Sequence, residues 1–241
     1  MTAPPALASA PAKPKSEPLQ RSYLILKYAH DTAAALLKAF NDSRNGKRGT
    51  PTDEQQDLLR AMVVFAGAGL DSMTKQLVRD ALPGILEHLP DRRADMERLV
   101  ARHLRRASVA ATDELGDDGG LNPQRLARIL LADSPRVGVA EMLVSDLTAG
   151  SLQSASELFR VASFLGVEQK MLDASEKDLK AVFDCRNQII HEMDIDFTRP
   201  NRNRFSRTRA DMVKNASLLL DVAGKLLGRV DSVLAKVPAR K

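Results

Sequence analysis

The chain has little of what disulfide-stabilised, metal-binding and membrane proteins are built from. Its 241 residues include no tryptophan and one cysteine, Cys185. A single cysteine excludes an intramolecular disulfide framework and a zinc site built from several cysteines, which favours a cytoplasmic protein. No segment approaches the roughly 20 uninterrupted apolar residues of a membrane span, so none is predicted. The isolated histidines lack the spacing of metal ligands, and we expect neither a metal nor a cofactor.

What the chain does contain favours helices. Leu, Ala and charged residues are abundant, aromatic residues make up 4%, and no convincing period-two pattern of a strand occurs. We therefore predict an all-α bundle over residues 19–238, preceded by a disordered Pro/Ala-rich tail over 1–18. The region at about 90–147 is longer than a minimal bundle requires and is interpreted as an inserted or extended helical region.

The first two helices are predicted from their apolar spacing. The first covers about 19–40, with its inner side near Leu24, Lys27, Tyr28, Leu36 and Leu37. The second opens with a capping box at Thr52 and Gln55. Its inner face should consist of Leu59, Met62, Val63, Ala66, Leu70, Met73 and Leu77. Gly67 and Gly69 weaken this helix, which predicts a close approach there by a neighbouring helix or by substrate.

Later boundaries follow from prolines, glycines and caps. Pro83 and Pro90 should interrupt the helical pattern, and a further helix is predicted over 91–107. Shorter helical segments follow. An amphipathic helix then ends at a Gly166 C-cap, and Ser175 begins the next helix. A final helix should cover about 208–235.

The helix that begins at Ser175 carries an anomaly. Helical spacing places Leu179, Val182, Phe183, Ile190 and Met193 on one apolar stripe. Arg186 falls in the middle of that stripe. Because an unpaired buried guanidinium costs several kcal/mol, Arg186 must either pair with a carboxylate or bind an anion.

A polar flank adjoins the stripe and suits phosphodiester chemistry. It holds Asp184, Asn187 and His191, with Asp194 as a further candidate member, and Asn187 and His191 stand at i,i+4. A histidine can exchange a proton with a ribose 2′-OH or a 5′-oxygen, while Arg186 stabilises phosphoryl charge without a metal. Asn187 could fix the imidazole tautomer or bond a phosphate oxygen. Two proton-transfer groups would require a two-fold dimer, since the segment holds one histidine.

A structural interpretation of the same residues remains open. Arg186 would then pair with a buried carboxylate such as Asp71 or Asp211, and His191 would merely end its helix.

A basic segment follows the anomalous helix. Its arginines are Arg199, Arg202, Arg204, Arg207 and Arg209, with Phe205 among them and no acidic residue. This clustering suits phosphate contacts, with Phe205 able to stack on a base. The alternative is a solvated connector.

The segment RNQIIH resembles the R-x4-6-H motif of HEPN domains, including the polar residue after the arginine. The stretch from SASELF to IIHE is similar to the RiboL-PSP-HEPN type, with a Leu-Gly-Val corner before the motif helix. VVFAGAGLDSMTKQL resembles that family's second-helix segment, with an aspartate at Asp71. The resemblance covers about 20–235 and is firmest over 150–195.

The resemblance implies a homodimeric, all-α endoribonuclease, often a toxin or a phage-defence protein, that leaves a 2′,3′-cyclic phosphate. By the motif, Arg186 would contact phosphate, His191 would be the acid/base and Asn187 the supporting residue. Asp71 and Asp184 are candidate supporting residues, and Arg199, Arg202, Arg204 and Arg207 are candidate RNA contacts. Met193 stands where a tyrosine follows the motif in one antitoxin-regulated subfamily, so that subfamily is not indicated, although a protein antitoxin remains a candidate partner.

Two other functions fit the sequence. A noncatalytic HEPN module could bind RNA, a nucleotide or a protein partner through Arg186 and the basic segment. A structural dimerisation domain would satisfy Arg186 with its own carboxylates.

Overall fold

The computed structural model describes residues 6–45, 49–88, 134–201 and 203–236, with isolated positions 97, 101, 127 and 131. The helices predicted within 91–133 fall almost entirely outside these residues. The described residues form six α-helices: α1 (Gln20–Arg44), α2 (Asp53–His88), α3 (Pro135–Thr148), α4 (Ala155–Phe164), α5 (Glu176–Glu192) and α6 (Arg209–Leu234). No strand occurs among them, which confirms the predicted all-α class. No helix in this part of the chain combines the length and hydropathy needed to cross a membrane.

The central helix is α2, which packs against α1, α3, α5 and α6. Its predicted inner face is fully buried: Leu59, Met62, Val63, Ala66, Leu70, Met73 and Leu77. The predicted capping box also forms. The backbone N–H of Gln55 donates to Thr52 Oγ1 at 3.4 Å, and that of Thr52 donates to Gln55 Oε1 at 3.1 Å. The beginning of α2 and its core face were therefore both predicted from local pattern.

A glycine sets the distance between α1 and α2. A Cβ atom on Gly69 would lie 2.2 Å from the Cβ of Ala29. Only a residue without a side chain fits at this spacing, so the close approach predicted at Gly69 is confirmed.

The inner face of α1 differs from the prediction. The buried apolar residues of α1 are Leu26, Ala33, Leu37 and Phe40. Leu24 and Tyr28, which were expected inside, are 47% and 64% exposed. Helix α1 carries two apolar stripes, and contact at Ala29 selects the stripe on its own side of the helix.

Residues 6–18, expected to be disordered, instead lie against α6. The N–H of Ala8 donates to Ser217 Oγ at 3.0 Å, and the N–H of Ser16 donates to Asp231 at 2.8 Å. A proline-rich composition cannot build a core, but side chains of α6 satisfy the backbone donors that remain between the prolines.

Helix α2 continues past the proline that was expected to end it. Pro83 lies inside α2, which extends to His88. Proline removes one helical hydrogen bond, yet the neighbouring Leu82 and Ile85 are buried. Their packing keeps this turn helical.

The corner between α4 and α5 forms as predicted. Gly166 adopts φ +79°, and the N–H of Val167 donates to the Ala162 carbonyl at 2.9 Å. This is the left-handed C-cap that glycine favours. At the start of α5, the N–H of Asp178 donates to Ser175 Oγ at 3.0 Å, which confirms the predicted N-cap.

Candidate functional site

Helix α5 carries the motif and is buried along only part of the predicted stripe. Its buried residues are Leu179, Val182, Phe183, Cys185 and Ile189. Ile190 and Met193, expected inside, are 38% and 62% exposed. Met193 adopts φ 51° as the C-cap, so it no longer follows the helical wheel. The motif end of α5 therefore presents apolar side chains outward.

The side chain of Arg186 crosses α2 at a glycine. A Cβ atom on Gly67 would lie 3.3 Å from Arg186 Cγ, so the second predicted close approach also occurs. The Nη1 group of Arg186 donates to Asn187 Oδ1 at 2.9 Å, whereas its Nε is buried without a hydrogen-bond partner. An unsatisfied buried N–H costs about 1–3 kcal/mol, which a bound acceptor would recover.

The carboxylates that a structural role would require lie elsewhere. Asp71 pairs with Lys75 at 2.9 Å and accepts the N–H of Leu152 at 2.8 Å. Asp211 accepts the N-cap hydroxyl of α6 at 2.7 Å. Within the described residues, no carboxylate pairs with Arg186. Asp71 thus supports the segment before α4 and does not contact the arginine.

Both the oxygen and the nitrogen of the Asn187 side-chain amide form hydrogen bonds. Its Oδ1 accepts from Arg186, and its Nδ2 donates to the Gln153 carbonyl at 3.1 Å. Asn187 therefore orients the guanidinium and joins α5 to the residues before α4. No hydrogen bond to His191 forms in this part of the molecule, so the tautomer-fixing role considered for Asn187 is not the arrangement found.

His191 lies exposed in the last turn of α5. It follows Arg186 by five positions, about 7.5 Å along the helix axis. Among the described residues its imidazole has no hydrogen-bond partner, so both ring nitrogens face solvent or a ligand. Asp184 pairs with Lys180 at 2.7 Å on the exposed surface and does not contact the motif.

A buried ionic cluster lies just beyond the motif. We call Arg60, Asp194 and Arg207 the Asp194 cluster. Asp194 is 0% exposed, and its carboxylate accepts from Arg60 Nε at 2.7 Å and from Arg207 Nε at 3.0 Å. Arg207 Nη2 also bonds Asp194 and donates to Gln188 of α5 at 3.0 Å. Hydrogen bonding to Asp194 raises the pKa of Arg207 above its ordinary value.

The four arginines expected to contact RNA have different surroundings. Arg207 belongs to the Asp194 cluster. Arg204 lies 2.7 Å from Asp57, whose hydrogen bond raises the pKa of that guanidinium. Arg199 is 72% exposed and pairs with Asp196 at 2.9 Å, while Arg202 lies outside the described residues. Of the described three, Arg199 is the most available to a ligand.

The basic segment doubles back on itself. The N–H of Phe205 donates to the Asp194 carbonyl at 2.8 Å, and that of Asp196 donates to the Asn203 carbonyl at 2.9 Å. The Phe205 ring, expected to stack on a base, lies 5.2 Å from the Arg207 guanidinium. The segment between Asp196 and Asn203 is therefore closed at its base.

Sequence patterns missed Arg60. It is 2% exposed and stands among apolar residues in LLRAMVVF. The criterion that singled out Arg186, a permanent charge in an apolar helix, would have found it. Asp194 was a candidate for the polar flank beside the motif, but its pairing with Arg60 and Arg207 was not predicted, because these partners lie on other elements.

The described residues contain no group of three or more His, Cys, Asp or Glu side chains placed to hold a metal ion. Comparison of the chain with protein-family models, with curated proteins and with solved structures gave no match. Inference about function therefore depends on the residues of the site and on the motif.

Proposed function

We propose that the chain is a metal-independent endoribonuclease of the HEPN type that acts as a homodimer. The observation that carries the proposal is Arg186, a partly buried guanidinium with an unsatisfied Nε and with no carboxylate partner in the described residues. Asn187 orients it, and His191 stands exposed on the same helix. A fixed cation beside an available imidazole suits a phosphodiester.

The proposed reaction needs two proton transfers. His191 of one copy removes the proton of a ribose 2′-OH, and O2′ forms a bond to the adjacent phosphorus. The P–O5′ bond breaks, and O5′ takes a proton from His191 of the second copy. Arg186 stabilises the charge on the nonbridging oxygens. The products are a 2′,3′-cyclic phosphate and a 5′-hydroxyl.

The second copy is proposed from exposed apolar residues that adjoin or closely follow His191 in the sequence. Ile190, Met193 and Phe197 are 38%, 62% and 59% exposed in the single chain. Large apolar side chains around a polar site commonly mark an interface. A two-fold axis beside α5 would cover them and bring two copies of Arg186 and His191 to one groove.

The biological role that accompanies this proposal comes from the resemblance. HEPN ribonucleases are often toxins or phage-defence proteins, so we propose an RNA target inside the cell and a protein antitoxin that binds the same groove.

A noncatalytic HEPN module is the second candidate. One observation favours it: in the described residues no group orients the imidazole of His191, as a general base usually requires. Such a module would bind RNA, a nucleotide or a protein at Arg186 and turn nothing over.

Cleavage of labelled RNA by the purified chain in excess EDTA separates the two candidates. Wild type should cleave, while Arg186→Ala and His191→Ala should each slow cleavage by about 100-fold or more. The matched controls are Glu192→Ala, an exposed neighbour on α5, and Arg229→Ala, an exposed arginine of α6. Cleavage that survives His191→Ala, or that requires a divalent ion, would refute the mechanism, and tight binding without turnover would support the module.

A further inference from the structure

Gln153 lies beside the motif and is held there by main-chain hydrogen bonds. Its carbonyl accepts from Asn187 Nδ2 at 3.1 Å, and its N–H donates to Glu157 Oε2 at 2.7 Å. The preceding residue is fixed as well, since the N–H of Leu152 donates to Asp71 Oδ1 at 2.8 Å. Side chains of α2, α4 and α5 therefore fix the backbone at this position.

Two hydrogen bonds connect Gln153 to the guanidinium that we propose as the phosphate ligand. Asn187 donates to the Gln153 carbonyl through Nδ2 and accepts from Arg186 Nη1 at 2.9 Å through Oδ1. The buried Nε of Arg186 has no hydrogen-bond partner within the described residues. A phosphate bound by Arg186 would therefore bring its own nucleotide close to Gln153.

The side chain of Gln153, unlike its main chain, has no partner in the part of the chain that the structure describes. It is exposed, and the hydrogen bonds of this residue are made by its N–H and its carbonyl. A side-chain amide offers an acceptor oxygen and N–H donors on one plane. Such a group matches the adjacent donor and acceptor on the edge of an unpaired base. Adenine is the base that glutamine bonds bidentately, at N6 and N7.

We propose that the Gln153 side chain binds the base next to the scissile phosphate and gives the chain a preference for adenine there. This proposal rests on the proposed function, because Arg186 must hold that phosphate. The main-chain contacts fix the point from which the side chain extends, so little backbone freedom is lost when a base binds. Gln153 is a specificity-determining residue on this proposal and takes no part in either proton transfer.

The test compares the cleavage sites of wild type and of Gln153 variants on an unstructured RNA of random sequence, in excess EDTA. Sequencing of the 5′-hydroxyl ends identifies the base beside each cut. Wild type should favour adenine by about tenfold, and Gln153→Ala should remove that preference. Gln153→Glu presents only acceptors, so the preference should move toward cytosine, whose N4 amino group donates. A wild type without base preference, or preferences unchanged in both variants, would overturn the proposal.

Gln169 provides the matched control, since it is an exposed glutamine in the connection between α4 and α5. Gln169→Ala and Gln169→Glu should leave the base preference as in wild type, and an equal loss of preference in them would contradict the proposal. Tm should stay unchanged in the Gln153 variants, because the main-chain contacts of this residue remain. The readout is a ratio between bases in one reaction, so a general loss of rate does not affect it.

Failure of this proposal and failure of the ribonuclease are distinguishable. If wild type cleaves and both Gln153 variants keep its base preference, the ribonuclease stands and the role of Gln153 is refuted. If wild type does not cleave, binding of fluorescent 2′-O-methyl oligonucleotides of a single base becomes the measurement. Tighter binding of the adenine oligomer that Gln153→Ala abolishes would then support the base contact, and equal binding of all four oligomers would overturn it.

Discussion

The carboxylate of Asp194 accepts a 2.7 Å hydrogen bond from the buried Nε of Arg60, although 134 positions separate the two residues. The bond joins the residues just beyond the motif helix α5 to the central helix α2. Arg207 completes the Asp194 cluster from the segment just before α6. The chain immediately after His191 is thus held by an ionic contact between three parts of the molecule.

Removal of Asp194 should be severely destabilising. Asp194→Ala leaves Arg60 buried and without its closest carboxylate, and such a loss typically costs about 3–5 kcal/mol. Urea unfolding measures the change. Asp184→Ala, which removes an exposed i,i+4 partner of Lys180, should cost at most about 0.5 kcal/mol. Similar losses of unfolding free energy in the two variants would mean that the Asp194 cluster does not contribute to stability more than an exposed ion pair.

The contact between α1 and α2 predicts opposite effects of one substitution at two glycines. Gly69→Ala places a Cβ 2.2 Å from that of Ala29 and should destabilise by about 1–3 kcal/mol. Gly228→Ala, in α6, meets no atom within 4 Å and should stabilise by up to about 1 kcal/mol through helix propensity. The second substitution Ala29→Gly should recover much of the loss at Gly69. Unfolding free energies that show no such rescue would place the strain elsewhere.

The proposed dimer predicts that charge around His191 abolishes both association and cleavage. Ile190→Asp, Met193→Asp should shift sedimentation from dimer to monomer, because a carboxylate would be buried in the interface. Phe65→Asp is the control, since Phe65 is a 49% exposed apolar residue on α2. A wild-type monomer, or dissociation only in the Phe65 variant, would contradict the proposed axis.

We expect two arginines of the basic segment to differ in function, with Arg199 contributing to RNA binding and Arg207 to stability. Arg199→Ala should leave Tm unchanged, because Arg199 is 72% exposed, and should reduce the salt slope of RNA binding by about 1. Arg207→Ala should lower Tm by several degrees, because it uncovers the buried Asp194. Thermal melts and salt titrations of both variants provide the measurement. A stable Arg207 variant with weakened RNA binding would reverse these assignments.

Docking of the N-terminal segment should depend on pH through Asp231. Burial raises the pKa of Asp231, but hydrogen bonds from Ser16 and Lys15 outweigh it, and the net pKa is below its ordinary value. A lowered folded pKa stabilises the fold above the unfolded pKa near 3.8 and loses that effect as pH falls through the folded value. The Tm difference between wild type and Asp231→Asn should therefore be largest near neutrality and shrink below about pH 4. A difference independent of pH would exclude the carboxylate as the cause.

Local patterns predicted the features that neighbouring residues determine. The capping box at Thr52, the left-handed cap at Gly166 and the inner face of α2 each depend on a few adjacent positions, and all three occur. The inner side of α1 required a choice between two apolar stripes, which contact with Gly69 decides. No periodicity within α1 holds that information.

The candidate site was predictable in part for the same reason. Arg186 was identified from the sequence as a charge in an apolar stripe. In the structure it has no carboxylate partner among the described residues. The environments of Arg204 and Arg207 were not predictable, because Asp57 and Asp194 reach them only through folding. Composition likewise missed the anchoring of residues 6–18, which depends on side chains of α6.

The segment between Asp196 and Asn203 has a fixed base and an exposed tip, and the two should differ in how well they tolerate substitution. Hydrogen bonds at Asp194 and Phe205 hold the neck, while Thr198 to Asn201 are exposed at its tip. The entropic cost of closing a loop rises only slowly with its length. We therefore expect the tip to tolerate insertion or replacement while the neck keeps the motif helix in place. The tip can therefore change in sequence while the fold is retained, and the same tip is a convenient attachment point for a fluorophore.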